Sequence, residues 1–191
     1  MQIPLFPLNT VLFPWGPLPL RIFEPRYIDM VGRCMKETTP FGVLLIREGH
    51  EAGPATVHEV GTLAEISDWY QGSDGLLGIT AVGGQRFRLV SSERQSDGLN
   101  IGEIEPVPPE PDMPLPAAYA RMLPLLEHVL DDLGKLYESL ERRYDDAVWV
   151  SYRLMEILPI DLEEKQESLV SSDTLGRLRR IEQFLASQTP A

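Results

Sequence analysis

Apolar residues along this chain change their spacing once. Over roughly the first hundred residues they come in short runs, Phe41 to Ile46, Thr62 to Trp69, Leu76 to Val82 and Arg86 to Val90, separated by clusters of Gly, Ser and Asp. Runs of that length between turn-forming residues predict strands. In Arg86 to Val90 the apolar Phe87 and Leu89 share one face and the arginines the other, as a strand with one wet side requires. One helix is expected among the strands. Pro25 suits its first turn, and Ile28, Val31, Cys34 and Met35 recur at helical spacing up to Lys36. It is expected to plug or cover a small barrel or curled sheet.

From Val107 to Pro116 the chain carries five prolines and two acidic residues, a composition that favours an extended connector over helix or central strand. The domain boundary is placed there: a β-rich part over 1–107, a connector over 108–116 and a helical part over 117–191. After the connector, apolar residues recur at three- and four-residue spacing through Leu126, Val129, Leu130, Leu133, Leu136, Tyr137 and Leu140. Asp161 followed by Glu164 predicts a helix start, Pro159 ends the helix before it, and Ser172 or Asp173 is expected to cap a last helix through Leu175, Leu178, Ile181 and Leu185.

Charge narrows the partners. With 17 basic against 29 acidic residues, a formal charge of −12 repels a phosphate backbone. No nucleic-acid partner is expected. No apolar stretch approaches the ~20 residues of a spanning helix, and Met1 to Leu8 lacks the basic start of a signal peptide, so a cytoplasmic protein with no membrane partner is expected. The single cysteine, Cys34, sits among apolar helical positions and reads as a buried structural thiol.

Five residues stand out as candidate binding residues. In Phe13-Pro14-Trp15-Gly16-Pro17 the prolines stiffen the backbone and Gly16 permits a turn, making a rigid corner between strands. Phe13 is expected in the core, whereas Trp15 at the corner is left open between core and contact residue. Arg26 and Tyr27 stand at the entry to the first helix, where Arg21, Glu24 and Arg26 are expected to form pinning ion pairs. Trp69 and Tyr70 precede the Gln71-Gly72-Ser73-Asp74-Gly75 turn and suit an exposed hairpin tip, although core packing is the commoner fate of a tryptophan.

The stretch Ile3 to Val31, IPLFPLNTVLFPWGPLPLRIFEPRYIDMV, resembles the opening of the N-terminal substrate-binding domain of Lon proteases: a Pro-Leu-Phe-Pro-Leu strand, a Phe-Pro-x-Gly turn, a Leu-Pro-Leu strand, then Phe-Glu-Pro-Arg-Tyr leading into a helix. Gly61 to Ile66 resembles that family's Gly-Thr-x-Ala-x-Ile strand, Gly84 to Phe87 its glycine-to-Arg-Phe segment, and Leu158 to Gln166 its Leu-Pro-x-x-x-x-x-Lys-Gln stretch. The resemblance implies an α+β fold, a PUA-like β-barrel with one covering helix followed by a C-terminal helical bundle. It also implies a non-catalytic module that recognises unfolded or flexible polypeptide, with the groove expected near Trp15, Tyr27 and the connector. The alternative is a scaffold or adaptor for one folded protein, and an uncharacterised enzyme is a remote third.

A complete Lon protease continues into an ATPase module and a serine-lysine protease domain, and Ala191 is reached before either begins. The one Gly-Lys pair, Gly134-Lys135, has Val129 where a P-loop needs glycine and Leu136 where it needs a hydroxyl. The His-Glu pairs His50-Glu51 and His58-Glu59 lack the second histidine of His-Glu-x-x-His, with Pro54 and Thr62 in its place. Catalytic residues, metal and cofactor are therefore all expected to be none. The purified protein is predicted to hydrolyse neither ATP nor unfolded casein, measured as phosphate and peptide release. Activity abolished by a single substitution within this chain contradicts that.

Overall fold

A strand longer than any of its neighbours organises the first half of the chain. The computed structural model describes all residues except 52, 54, 139 and 189–191, so the end of the expected helical part lies outside the described residues. It divides into two units, Met1–Pro109 and Glu110–Ala191. The first holds β1 (Gln2–Leu8), β2 (Pro17–Ile22), α1 (Pro25–Glu37), β3 (Phe41–Gly49), β4 (Ala55–Val57), β5 (Val60–Gln71), β6 (Leu77–Arg94) and β7 (Asn100–Pro106). β6 shares one edge between two partners, β2 along Leu77–Val82 and β7 from Phe87 onward, while β5 follows its other edge.

This arrangement corrects the expected PUA-like β-barrel. The strands form a mixed, branched seven-stranded sheet of order β1-β7-β6-β5-β3-β4, with β2 off that path on β6, rather than a closed barrel. The path runs out at the three-residue β4. A parallel β1–β3 pairing, Leu5↔Gly42 to Leu8↔Leu45, and register shifts in the β5–β6 and β6–β7 ladders curl the sheet. The physical reason is length: the 18 residues of β6 outrun every neighbour, so its backbone groups are satisfied by a succession of partners.

The branch point is held by the proline-stiffened corner. Trp15 N–H donates to Gly83 O at 2.6 Å, Gly83 N–H donates to Gly16 O at 2.8 Å, and the Thr62 hydroxyl donates to Leu12 O at 2.5 Å. A side chain at Gly83 would meet Phe13 O at 2.2 Å, and one at Gly61 would meet Val43 O at 2.2 Å. Only glycine lets these backbones approach.

α1 begins with Pro25 in its first turn and turns Tyr27, Met30, Val31 and Cys34 into a core that includes Phe6, Phe41, Ile79 and Leu99. Tyr27 stacks on Phe6 with centroids 3.9 Å apart. Burying each such side chain contributes about 1.5–3 kcal/mol. The inward face differs from the predicted one at two positions: Ile28 and Met35 are exposed.

The second unit packs α2 (Leu123–Asp132), α3 (Lys135–Glu138), α4 (Ala147–Ile157), α5 (Leu162–Val170) and α6 (Thr174–Gln188) after a 3-10 turn, Ala117–Met122. Gly134, at φ 55°, interrupts the leucine periodicity and separates α2 from α3. α4 is buried on every side from Ala147 to Met155, which makes it the central helix. Asp146, Asp161 and Asp173 accept from the backbone N–H groups of Val148, Glu163 and Gly176 at 2.8, 3.2 and 2.8 Å, capping α4, α5 and α6. The proline-rich stretch is bonded into this unit: Ala147 N–H donates to Met113 O and Leu115 N–H to Asp145 O, both at 2.8 Å.

Glu110 anchors that stretch from within. Its carboxylate is buried with Arg177, which contacts it through both terminal nitrogens at 2.8 and 3.1 Å and lies 4.0 Å over the Tyr152 ring. The hydroxyls of Thr174 and Tyr152 also donate to it, and Arg177 Nε donates to Ser151 Oγ at 2.9 Å. Burial by itself raises the Glu110 carboxyl, but the hydrogen bonds and charge of Arg177, with the two hydroxyls, outweigh it and hold the group below the usual carboxylate range. A depressed carboxylate adds stability above its unfolded value that is lost as pH falls through its folded value. The helical circular-dichroism melt of the wild type is therefore predicted to shift down below about pH 4.5. Glu110→Ala is predicted to cost about 3–5 kcal/mol at neutral pH, because Arg177 is left buried and unneutralised. A flat acid profile, or a neutral alanine variant, contradicts this.

Candidate functional site

β5 continues well beyond its partner β3. β3 begins at Phe41 opposite Ala64, so β5 from Glu65 to Gln71 pairs with β6 on one side only. The space that β3 leaves is flanked by the end of α1, which stops at Thr38 in a left-handed conformation with φ 53°. Between them lies a groove of about 540 Å³, lined on the helix side by Cys34, Met35, Thr38 and Thr39 and on the strand side by every residue from Glu65 to Trp69. It lies wholly within the first unit.

Its lining mixes apolar and acidic groups. Met35, Ile66 and Trp69 supply apolar surface, Glu65 and Asp68 supply two carboxylates, and among the described residues no lysine or arginine lines it. Asp68 Oδ1 accepts from the Trp69 N–H at 2.8 Å. Burial pushes the Cys34 thiol up, so it stays protonated and unreactive at neutral pH. The lining offers apolar contact surface together with two carboxylates.

The structure divides the five sequence candidates among three places. Trp69, 58% exposed, lines the groove, whereas Tyr70, 48% exposed, follows it on the strand without lining the groove, and its ring lies across the backbone of its cross-strand partner Gly78. Arg26 and Tyr27 also adjoin one another, but both are buried, at 9% and 4% exposure. Arg26 is fixed by Glu24 at 2.8 Å and by the Gly98 carbonyl at 2.9 Å, with its guanidinium 4.6 Å from the centroid of the Tyr27 ring. Burial raises the Tyr27 hydroxyl, keeping it protonated. Trp15 is half-buried at the corner with φ 61°, an uncommon conformation for a residue with a side chain. Neither Trp15 nor Arg26–Tyr27 lines the groove. Of the expected ion pairs, Arg26 meets Glu24, whereas Arg21 reaches Asp74 in the β5–β6 turn.

Of the nine residues that line the groove, sequence reasoning singled out Trp69 alone as a binding candidate. The available signal was Glu65 interrupting an apolar run and Met35 lying one residue beyond the buried Cys34. Near the His-Glu pairs, Glu51 accepts from the Asn9 N–H at 2.8 Å and Glu59 pairs with Arg88 at 3.3 Å. Among the described residues no group of three or more His, Cys, Asp or Glu side chains is placed to hold a metal, and no helix is long and apolar enough to cross a membrane.

Comparison with known proteins places this geometry in context. Residues 2–187 match the family described as the ATP-dependent protease La (LON) substrate-binding domain. A Lon protease of Phenylobacterium zucineum is 26% identical over 95% of this chain and 24% of its own length. Protein cereblon of Danio rerio is 31% identical over 65% of this chain and 30% of its own length. The chain thus spans about a quarter to a third of the curated relatives it matches. Among solved structures, a Lon N-terminal domain protein from Xanthomonas campestris superimposes with a TM-score of 0.78 at 32% identity, covering 100% of this chain and 99% of its own. The N-terminal domain of a Mycobacterium avium complex Lon protease shares the fold, with a TM-score of 0.67 at 12% identity over 99% of this chain and 100% of its own.

The two tryptophans are predicted to respond differently to truncation. Trp69→Ala removes a largely exposed ring and is expected to change unfolding stability by less than about 0.5 kcal/mol. Trp15→Ala removes a half-buried ring and is expected to cost about 1–2 kcal/mol. Urea unfolding of both variants checks the order, and equal losses contradict it.

Proposed function

The chain belongs to the LON substrate-binding domain family, and from that premise we propose that it is a non-catalytic binding module that holds unfolded or flexible polypeptide beside β5. The observation that carries this reading is the exposed Trp69, followed along the hairpin by the exposed Tyr70, in the wall of a groove whose lining is mostly uncharged. Unfolded chains expose apolar side chains and free backbone, and a groove with adaptable edges suits both. Met35 is an unbranched side chain that repacks readily against varied surfaces. We assign Trp69 and Tyr70 to the contact surface, Trp15 to a separate contact at the corner, and Arg26 with Tyr27 to holding the first turn of α1.

Binding of a fluorescently labelled, reduced and carboxymethylated protein, compared with its native form, tests this reading. The unfolded form is expected to bind with a Kd of about micromolar or weaker, and the native form not to bind. Trp69→Ala is expected to weaken that binding by about 1–3 kcal/mol, roughly five- to 150-fold, with the melting midpoint unchanged. Absence of binding to the unfolded probe overturns the reading. Capture of one native protein at fixed stoichiometry supports the scaffold alternative instead.

A further inference from the structure

We propose that the outer edge of β5, from Glu65 to Gln71, is a strand-addition site for an extended polypeptide segment carrying apolar and basic side chains. The inference rests on the binding role proposed above and adds the mode of binding, the residues and the chemistry of the occupant.

The groove shows its edge character in its lining. Alternate side chains of a strand point to opposite faces, so a strand that presents a face contributes every second residue. β5 contributes Glu65, Ile66, Ser67, Asp68 and Trp69 in succession. It is therefore seen edge-on, and an edge offers a row of backbone donors and acceptors to any extended chain. Along this stretch β5 pairs with β6 on one side, and no strand pairs with its other side among the described residues. The Trp69 N–H is taken instead by the neighbouring Asp68 carboxylate at 2.8 Å, a local side-chain cap of the kind that competes with strand pairing.

Two other edges are poorly suited to pairing by their own residues. β2 carries Pro17 and Pro19, which remove backbone donors, and β4 has only three residues. Glu65 to Gln71 contains no proline and has room for a segment of roughly five to seven residues.

Charge selects the occupant. Glu65 and Asp68, both exposed, are among the residues that line the groove, and no cationic residue lines it among the described residues, so lysine or arginine on the incoming strand is favoured and acidic segments are repelled. Met35, Ile66 and Trp69 receive the apolar side chains between them.

The test uses the whole chain and a short labelled peptide alternating valine and lysine. Two control peptides accompany it, one with glutamate replacing lysine and one with every backbone amide N-methylated. The valine–lysine peptide is expected to bind, and to slow hydrogen exchange in 65–71. The N-methylated and glutamate forms are each expected to bind at least about tenfold more weakly. The double variant Glu65→Lys, Asp68→Lys changes two exposed residues, is expected to keep the wild-type melting midpoint, and should prefer the glutamate peptide. Protection elsewhere, or binding indifferent to both N-methylation and charge reversal, overturns the edge site. If the carboxymethylated protein still binds in that case, the broader binding role stands without it. Protection of 65–71 that rises with concentration of the chain alone assigns the edge to a second copy and also overturns the proposal.

Discussion

Backbone N–H and C=O groups along β6 need partners for all 18 residues of the strand, and no neighbour is long enough to supply them. Much of the first unit follows from that constraint. β2 takes the first part of one edge and β7 the last. Between them the corner at Phe13 to Pro17 meets Gly83 through two backbone hydrogen bonds of 2.6 and 2.8 Å. The motif that carries the family resemblance is thus the piece that fits the branch point. Its prolines stiffen the approach, and glycine at 83 leaves room for the Phe13 carbonyl.

The same mismatch of lengths creates the candidate site. β5 follows β6 to Gln71, whereas β3 starts only at Phe41 because α1 occupies the chain before it. The groove is the space left where one strand stops and its neighbour continues. Such a site needs no unusual residue. It needs a long hairpin, a helix ending in a left-handed residue, and side chains there that keep the edge open.

Charge has opposite uses in the two units. In the second, Glu110 and Arg177 are buried together, with the hydroxyls of Tyr152 and Thr174 donating to the carboxylate, and the pair ties the proline-rich stretch to α6. A buried pair of this kind is costly to break, because removing one partner leaves the other charge buried and uncompensated, even where the intact pair adds little net stability. At the groove, Glu65 and Asp68 remain exposed, where a carboxylate adds little to stability, and Asp68 accepts the neighbouring Trp69 N–H.

Much of the local structure was legible in the sequence. Short apolar runs gave strands, although the runs Leu76 to Val82 and Arg86 to Val90, expected as separate, fall on the single strand β6; Pro25 opened α1, Asp161 and Asp173 capped α5 and α6, and the motif from Ile3 to Val31 identified the family, because each depends on spacing or backbone preference within a few residues. Trp69 and Tyr70 were legible as a hairpin tip from the turn that follows them. Only the tertiary structure decided that the sheet branches at Gly83 instead of closing as a barrel, since branching depends on the relative lengths and registers of strands far apart in sequence. Burial of Arg26 and Tyr27 beside Phe6 was likewise hidden, because an amphipathic helix shows its period but not which boundary residues another element will cover. The open edge of β5 was the least visible of all. It is defined by where a neighbouring strand fails to pair, and a sequence records the residues of an edge without recording what lies next to it.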